Sequence, residues 1–365
     1  MLDLLIQGGT VIDGSGRGRW ISDVAIEGGK IVEIRPDLTG DAREVIEARG
    51  LVVCPGFIDI HSHTDFTLSQ NPLCESKLRQ GITTEVVGNC GFTAAPVCPD
   101  HFNDLMGYLT NTTSITEEEK RTWSWRTQVD FLDWACRNGS ALNVATLVGH
   151  GTLRIAAAGF EKKRLDPGDL SRLGDLLEGE LERGAKGLSL GLQYEPGAFA
   201  SEEELCSLAE RLQRRGGFLA VHLRDESDGL LESMAEVIGV AEKTGVSLQI
   251  SHLKTEGRRN WGKALEALHL VEQARTRGLP VSFDVYPYLA YGSGLVDLVP
   301  SWCRDRGIGG LLALLADPGS RDKILREMQD FYGASSFHDW SNYRISSAAL
   351  PYRKEVEGRT IAQIA

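Results

Sequence analysis

The side chains best suited to hold a metal ion are His61 and His63, one residue apart, together with Cys90, His222 and His252. In an extended segment a His-x-His pair presents both imidazoles on one face, because side chains repeat every two residues. That arrangement suits two ligands to one ion. Cys90 stands in Gly88-Asn-Cys-Gly91, where small neighbours let its sulfur approach an ion closely. The other cysteines fall in strand- or helix-like runs (Cys54, Cys136, Cys206), where a thiol packs as a small hydrophobe, or in loops without ligand-type neighbours (Cys74, Cys98, Cys303). A thiolate with two imidazoles makes a Zn²⁺ set that leaves one coordination position for water. Sulfur and nitrogen donors select zinc over Mg²⁺ or Ca²⁺.

These ligands need elements to hold them. From residue 51 the sequence alternates strand, loop, helix and strand, with apolar runs at 51–60, 82–87, 143–148, 187–190, 218–221, 246–250 and 281–285. The histidines and Cys90 follow the first, second, fifth and sixth of these runs. Between them, Ser201-Glu-Glu-Glu204 predicts a capping box, Ser201 accepting from a free backbone N–H and Glu204 reaching back. Leu205, Leu208, Ala209 and Leu212 then share one helix face. The pattern recurs at 230–244, stopped by Gly245, and at 263–277, stopped by Gly278 and Pro280. Such alternation implies parallel strands with crossover helices. Seven short apolar strands in a row favour an α/β fold of the (β/α)8 TIM-barrel type, with functional groups at the C-terminal strand ends. An eighth strand is missing from the pattern. Residues 1–50, a series of short β-like runs with a hairpin signal at Glu27-Gly-Gly-Lys30, read as part of a small β-domain, and 51–365 as the incomplete barrel.

Composition narrows the class. The chain has 365 residues, 39 basic against 51 acidic, and a formal charge of −12. That balance argues against nucleic acid as a partner, and no apolar run approaches the ~18 residues of a membrane span. The first residues lack the basic region of a signal peptide, and seven scattered cysteines do not form a disulfide framework. A cytoplasmic protein acting on a small molecule is expected. Its oligomeric state is left open.

Val53-Cys-Pro-Gly-Phe-Ile-Asp-Ile-His-Ser-His-Thr-Asp65 resembles the opening signature of the amidohydrolase superfamily. Gly88-Asn-Cys-Gly91, Gly191-Leu-Gln-Tyr-Glu-Pro196, His222-Leu-Arg-Asp-Glu226, Ser251-His-Leu-Lys254 and Phe283-Asp-Val-Tyr-Pro-Tyr288 resemble its N-acyl-D-amino-acid deacylase (D-aminoacylase) branch. The resemblance implies zinc-dependent hydrolysis of the amide bond of N-acyl-D-amino acids. It implies that Cys90, His222 and His252 hold a tight zinc, and that His61 and His63, with an aspartate from strand eight, form a second, weaker metal position. Lys254 and Tyr194 would contact the substrate carboxylate, and Tyr286 would line the same pocket. The N-terminal strands would belong to a β-sandwich completed by the C-terminus. Two other readings compete: a cyclic-amide hydrolase of the dihydroorotase or hydantoinase type, which needs a bridging carboxylated lysine where Lys186, at the start of its strand, sits at the wrong end for the rim, and an inactive metal-binding truncated product.

The sequence departs from that family after Asp284, where no Ser-Asp-Gly-like motif follows before Ala365. Asp284 ends the seventh strand and reads as a structural aspartate, so the general base is expected beyond the chain. Residues 289–343 are long for a simple connection and are expected to form a lid. Gly187-Leu-Ser-Leu-Gly191 matches G-x-S-x-G, but no helix follows Ser189 at once, which favours a plain strand. Gly14-Ser-Gly16-Arg-Gly18 reads as a loop. Asp65 and Asp225 are candidates for orienting ligands or for local salt bridging, and His150 for substrate contact or structural bonding. His101, His269 and His338 read as surface or core residues, Trp123 and Trp125 as packing.

Overall fold

The computed structural model describes residues 1–112, 123–137, 139–303, 307–332, 340–348 and 352–365, so His338 lies outside the described residues. The chain divides into two units, one of Met1–Ile58 with Glu75–Thr84, the other of Asp59–Cys74 with Glu85–Ala365.

The first unit is built on β1 (Leu2–Val11), β2 (Trp20–Glu27), β3 (Lys30–Arg35), β4 (Ala42–Glu47) and β5 (Val52–Val53), in the order β3-β2-β1-β4 with β5 also on β1. Gly28 and Gly29 both take positive φ, 60° and 71°, as the expected two-residue hairpin turn between β2 and β3 demands. The Asp23 carboxylate ties the irregular point of β1 to the segment after β3, accepting from the backbone N–H of Gly8 at 2.7 Å and of Leu38 at 2.8 Å. The sequence pattern joined residues 51–60 into one strand. Instead Val52 and Val53 pair with Thr10 and Val11, and a separate β6 (Phe57–Asp59) follows.

The second unit contains a parallel sheet of order β13-β12-β11-β10-β9, made of Val148–Gly149, Gly187–Gly191, Phe218–His222, Ser247–Ile250 and Val281–Phe283 for β9 to β13. Asn143–Thr146, as β8, belongs to a separate three-stranded sheet of order β6-β7-β8, in which β7 is Ile82–Val87. The run 143–148 therefore divides at Leu147, serving one sheet before the break and the other after it. Helices Pro167–Glu182, Glu202–Arg214, Leu230–Thr244 and Lys263–Thr276 alternate with β10 to β13 as expected of crossovers. Leu188, Leu190, Leu219, Val221, Leu248 and Ile250 meet Leu205, Leu208, Leu212, Met234 and Val237 in one buried cluster. Among the described residues no helix is long and apolar enough to cross a membrane.

One capping detail differs from expectation. Ser201 Oγ accepts from Glu204 N at 3.3 Å, but the Glu204 carboxylate does not reach back to it. It turns inward to Arg154 Nη1, at 2.7 and 2.5 Å, and to His150 Nε2 at 2.7 Å. A buried guanidinium binds a carboxylate more strongly than one exposed backbone N–H does.

Candidate metal centre

His61 follows β6, Cys90 follows β7, His222 ends β11 and His252 lies two residues past β12. Parallel strands put all these ends on one rim, and the in-register pair Gly191↔His222 fixes the height of that rim between β10 and β11. Two of these ligand-type residues sit on turns with left-handed backbone, Cys90 at φ 55° and His252 at φ 37°. Such strain in non-glycine residues persists only where the surroundings over-determine it, and it clusters at functional sites. The glycine beside Cys90 has a packing reason: a Cβ on Gly91 would lie 2.9 Å from Gly191 N.

The ligand-type atoms fall into two groups, His61–His63–Cys90 and Cys90–His222–His252, with the atoms of each within 4.8 Å of one another. Cys90 is common to both. Its Sγ is 3.3 Å from His61 Nε2 and 3.5 Å from His252 Nε2. Ordinary Zn–S and Zn–N bonds meeting at the tetrahedral angle place sulfur and nitrogen about 3.6 Å apart. The spacing is that of neighbouring ligands around one ion.

Each of the three imidazoles around Cys90, His222 buried and His61 and His252 half-buried, has one nitrogen turned to a protein acceptor and the other left over. His252 Nδ1 meets Glu226 Oε1 at 2.9 Å, leaving Nε2 toward Cys90. His222 does the reverse. Its Nε2 meets Gln193 Oε1 at 2.7 Å, and its Nδ1 is buried with no hydrogen-bond partner. His61 Nδ1 lies 3.5 Å from Asp284 Oδ1, too far for a good bond, with Nε2 on Cys90. An unpaired buried ring nitrogen on His222 and thiolate-facing nitrogens on the other two fit a zinc ion.

The electrostatics agree. Burial opposes ionisation of Cys90, yet His61 above all, then His222 and His252, hold the thiol well below the usual thiol range. Burial would lower His61, but the Cys90 thiolate and Asp284 hold it up at about 10. His252 is likewise raised against burial, to about 9, by Cys90 and Glu226. His222 is kept low by burial, with Glu226 opposing. Glu226 is held down at about 2 despite burial, by His222, His252 and Lys254.

Around this cluster stand the expected substrate residues. Lys254 Nζ binds Glu226 Oε2 and lies 5.8 Å from the Tyr286 ring centroid. Burial pushes the Tyr286 hydroxyl up to about 12, with Glu226 and Glu256 adding to it. The Tyr194 ring is 4.7 Å from that of His222. Glu226 and Gln193 carried no role in the sequence reading; the visible signal was the His-x-x-x-Glu spacing of 222 and 226. Asp284 accepts from His252 N at 2.7 Å and Gln249 Nε2 at 2.8 Å, a positioning arrangement.

Other candidates go elsewhere. His150 bonds Glu204, which gives it the structural role. Ser189 Oγ donates to Gly88 O at 2.5 Å and accepts from Gly91 N at 3.0 Å, as a strand residue tying two loops. Asp225 accepts from the backbone of Ser227 and Gly229, stabilising its own loop. Asp65 is buried, and burial raises its carboxyl to about 7. Trp123 and Trp125 stack with centroids 4.6 Å apart beside Phe131 and Trp134. His101 lies 3.4 Å from Asp104, and His269 lines a shallow surface depression on its own helix. Lys186 is exposed and sits five residues before the rim level of β10, about 16 Å along the strand.

Residues 44–296 match the model of the amidohydrolase family. The N-acyl-D-glutamate deacylase of Alcaligenes xylosoxydans xylosoxydans is 36% identical over 293 residues, covering 79% of this chain and 57% of the relative. The D-aminoacylase of the same organism is 35% identical over 315 residues, covering 83% of this chain and 62% of the relative. A solved N-acyl-D-glutamate deacylase from Bordetella bronchiseptica, complexed with zinc and a phosphonate mimic of the tetrahedral intermediate, is 34% identical with a TM-score of 0.70, covering 79% of this chain and 59% of that one. The chain belongs to the amidohydrolase family, and its parallel α/β architecture is of that family's (β/α)8 type. It spans about 57 to 62% of the length of these curated relatives.

Proposed function

We propose that this chain carries the metal-binding rim of a zinc-dependent N-acyl-D-amino-acid deacylase, which hydrolyses a linear amide to a carboxylate and a free D-amino acid. The observation that carries the reading is Cys90 Sγ shared between two imidazole nitrogens at 3.3 and 3.5 Å. Likeness to deacylases over 79% of the chain supplies the substrate class. Cys90, His222 and His252 would hold a tight zinc. His61 and His63 would offer a weaker second position, consistent with the exposure of His63. A zinc ion held by these residues would supply polarisation of the scissile carbonyl and a more acidic water near neutral pH.

The residues of the chain do the rest. Lys254 holds the substrate carboxylate, with Tyr194 beside it and Tyr286 lining the pocket, which fixes the scissile bond over the rim. Glu226 and Asp284 are each engaged with a histidine and a second donor, so neither is free to carry a proton. We assign proton transfer to an aspartate on an eighth strand, which would also pair with β13. That strand would complete a (β/α)8 barrel, with the first unit as part of a β-sandwich. Residues 289–343, of which 304–306 and 333–339 lie outside the described residues, would act as a lid, anchored where the Tyr291 hydroxyl meets Glu256. The hydantoinase-type alternative is disfavoured by the distance of Lys186 from the rim. Assaying this chain beside a C-terminally extended one on N-acetyl-D-amino acids tests the assignment. Activity confined to the longer chain supports it, and equal activity in both refutes the placement of the base.

A further inference from the structure

Glu226 is 4% exposed and touches three groups of the rim. One carboxylate oxygen meets His252 Nδ1 at 2.9 Å. The other accepts from Lys254 Nζ and lies 3.7 Å from His222 Nε2. Lys254 Nζ also lies 3.0 Å from His252 Nδ1 and 3.3 Å from His252 O, so lysine and histidine are folded together around a single carboxylate.

We propose that Glu226 is a positioning residue that couples the zinc ligand His252 to Lys254, setting the imidazole for the metal and the ammonium for the substrate carboxylate together. The inference rests on the deacylase reading and assigns a task that reading leaves unfilled. A metal-bound histidine needs an acceptor on its other nitrogen to fix ring orientation and strengthen its basicity. Lysine, a point charge on a flexible stem, needs a fixed partner to hold one place. A carboxylate offers both oxygens at once. Burial makes the two bonds interdependent, because removing either donor leaves a buried charge less compensated.

Glu226→Gln separates the two tasks, since an amide has one acceptor oxygen and its NH2 repels either donor. Zinc affinity of the purified chain, measured by competition with a chromophoric chelator, should weaken about 10- to 100-fold. Glu204→Gln, equally buried but bonded only to Arg154 and His150 among the described contacts, should lose stability and keep its zinc affinity. Zinc binding by Glu226→Gln within about threefold of wild type, or equal weakening in Glu204→Gln, overturns the proposal. Should Glu226→Gln fail to fold, Lys254→Met reads the same coupling. Removing the ammonium leaves the carboxylate to His252 and the more distant His222, so zinc should bind at least about threefold tighter. Unchanged or weaker binding overturns the proposal. A wild-type chain that takes up no zinc sinks the deacylase reading itself, whereas zinc uptake with no effect of Glu226 sinks only this inference.

Discussion

Cys90→Ala removes the one donor that both ligand groups share. Four-ligand structural zinc sites bind with about 10–16 kcal/mol, so one ligand in four accounts for about 3 kcal/mol, or about 100-fold in affinity at 1.4 kcal/mol per decade. The protons supply a second readout. Without metal, His61 and His252 titrate near about 10 and about 9, so both imidazoles are protonated at pH 7.5. Only neutral imidazole ligates, so filling both positions of the wild-type chain should release about two protons, one from His252 at the tight site and one from His61 at the weaker one. The Cys90 thiolate is a leading cause of both upward shifts. Its removal leaves burial to lower both imidazoles, with Asp284 and Glu226 opposing, so the release should fall by about one proton. Calorimetric zinc titrations in buffers of different ionisation enthalpy give affinity and proton count together. Zinc affinity of Cys90→Ala within about threefold of wild type, with undiminished proton release, would refute the shared-thiolate site.

Glu204→Gln should cost about 3–5 kcal/mol of unfolding free energy in urea, because it leaves the buried Arg154 without its carboxylate. Arg154 and His150 hold the Glu204 carboxyl below its ordinary value although burial works the other way. Its contribution is therefore complete above the unfolded value of about 4.5 and is lost as pH falls through the lowered folded value. The gap between wild type and Glu204→Gln should accordingly narrow on acidification below pH of about 4.5, and a gap that widens there would contradict the pairing. Lys254→Ala in a catalytically competent chain should lower kcat/KM for N-acetyl-D-amino acids about 10- to 100-fold, the worth of one charged hydrogen bond, mainly through KM. An unchanged KM would remove Lys254 from the carboxylate site.

Much of the rim was legible because metal chemistry uses few residue types and strand ends are easy to find. His61, His63, Cys90, His222 and His252 could be named from residue type and place, and they meet at the same rim. Glu226 and Gln193 were not legible as partners. A single loop carboxylate or amide has no period, and which donor it meets depends on how neighbouring strands align. Glu204 shows the same limit from the other side: its capping-box spacing is local, and a guanidinium from 50 residues earlier overrides it. The strand divisions at 51–60 and 143–148 were hidden because an apolar run does not say which sheet each half joins.

The most direct test of the account is enantioselective, zinc-dependent hydrolysis. With the C-terminally extended chain stripped by chelator and reloaded with zinc, release of free amine from N-acetyl-D-glutamate and N-acetyl-D-leucine would be followed beside their L-enantiomers and dihydrouracil. The account predicts hydrolysis of D-substrates alone, rising with zinc at the tight site and abolished in Cys90→Ala. Turnover of dihydrouracil without turnover of the D-amides, or full activity in the metal-stripped protein, would contradict it.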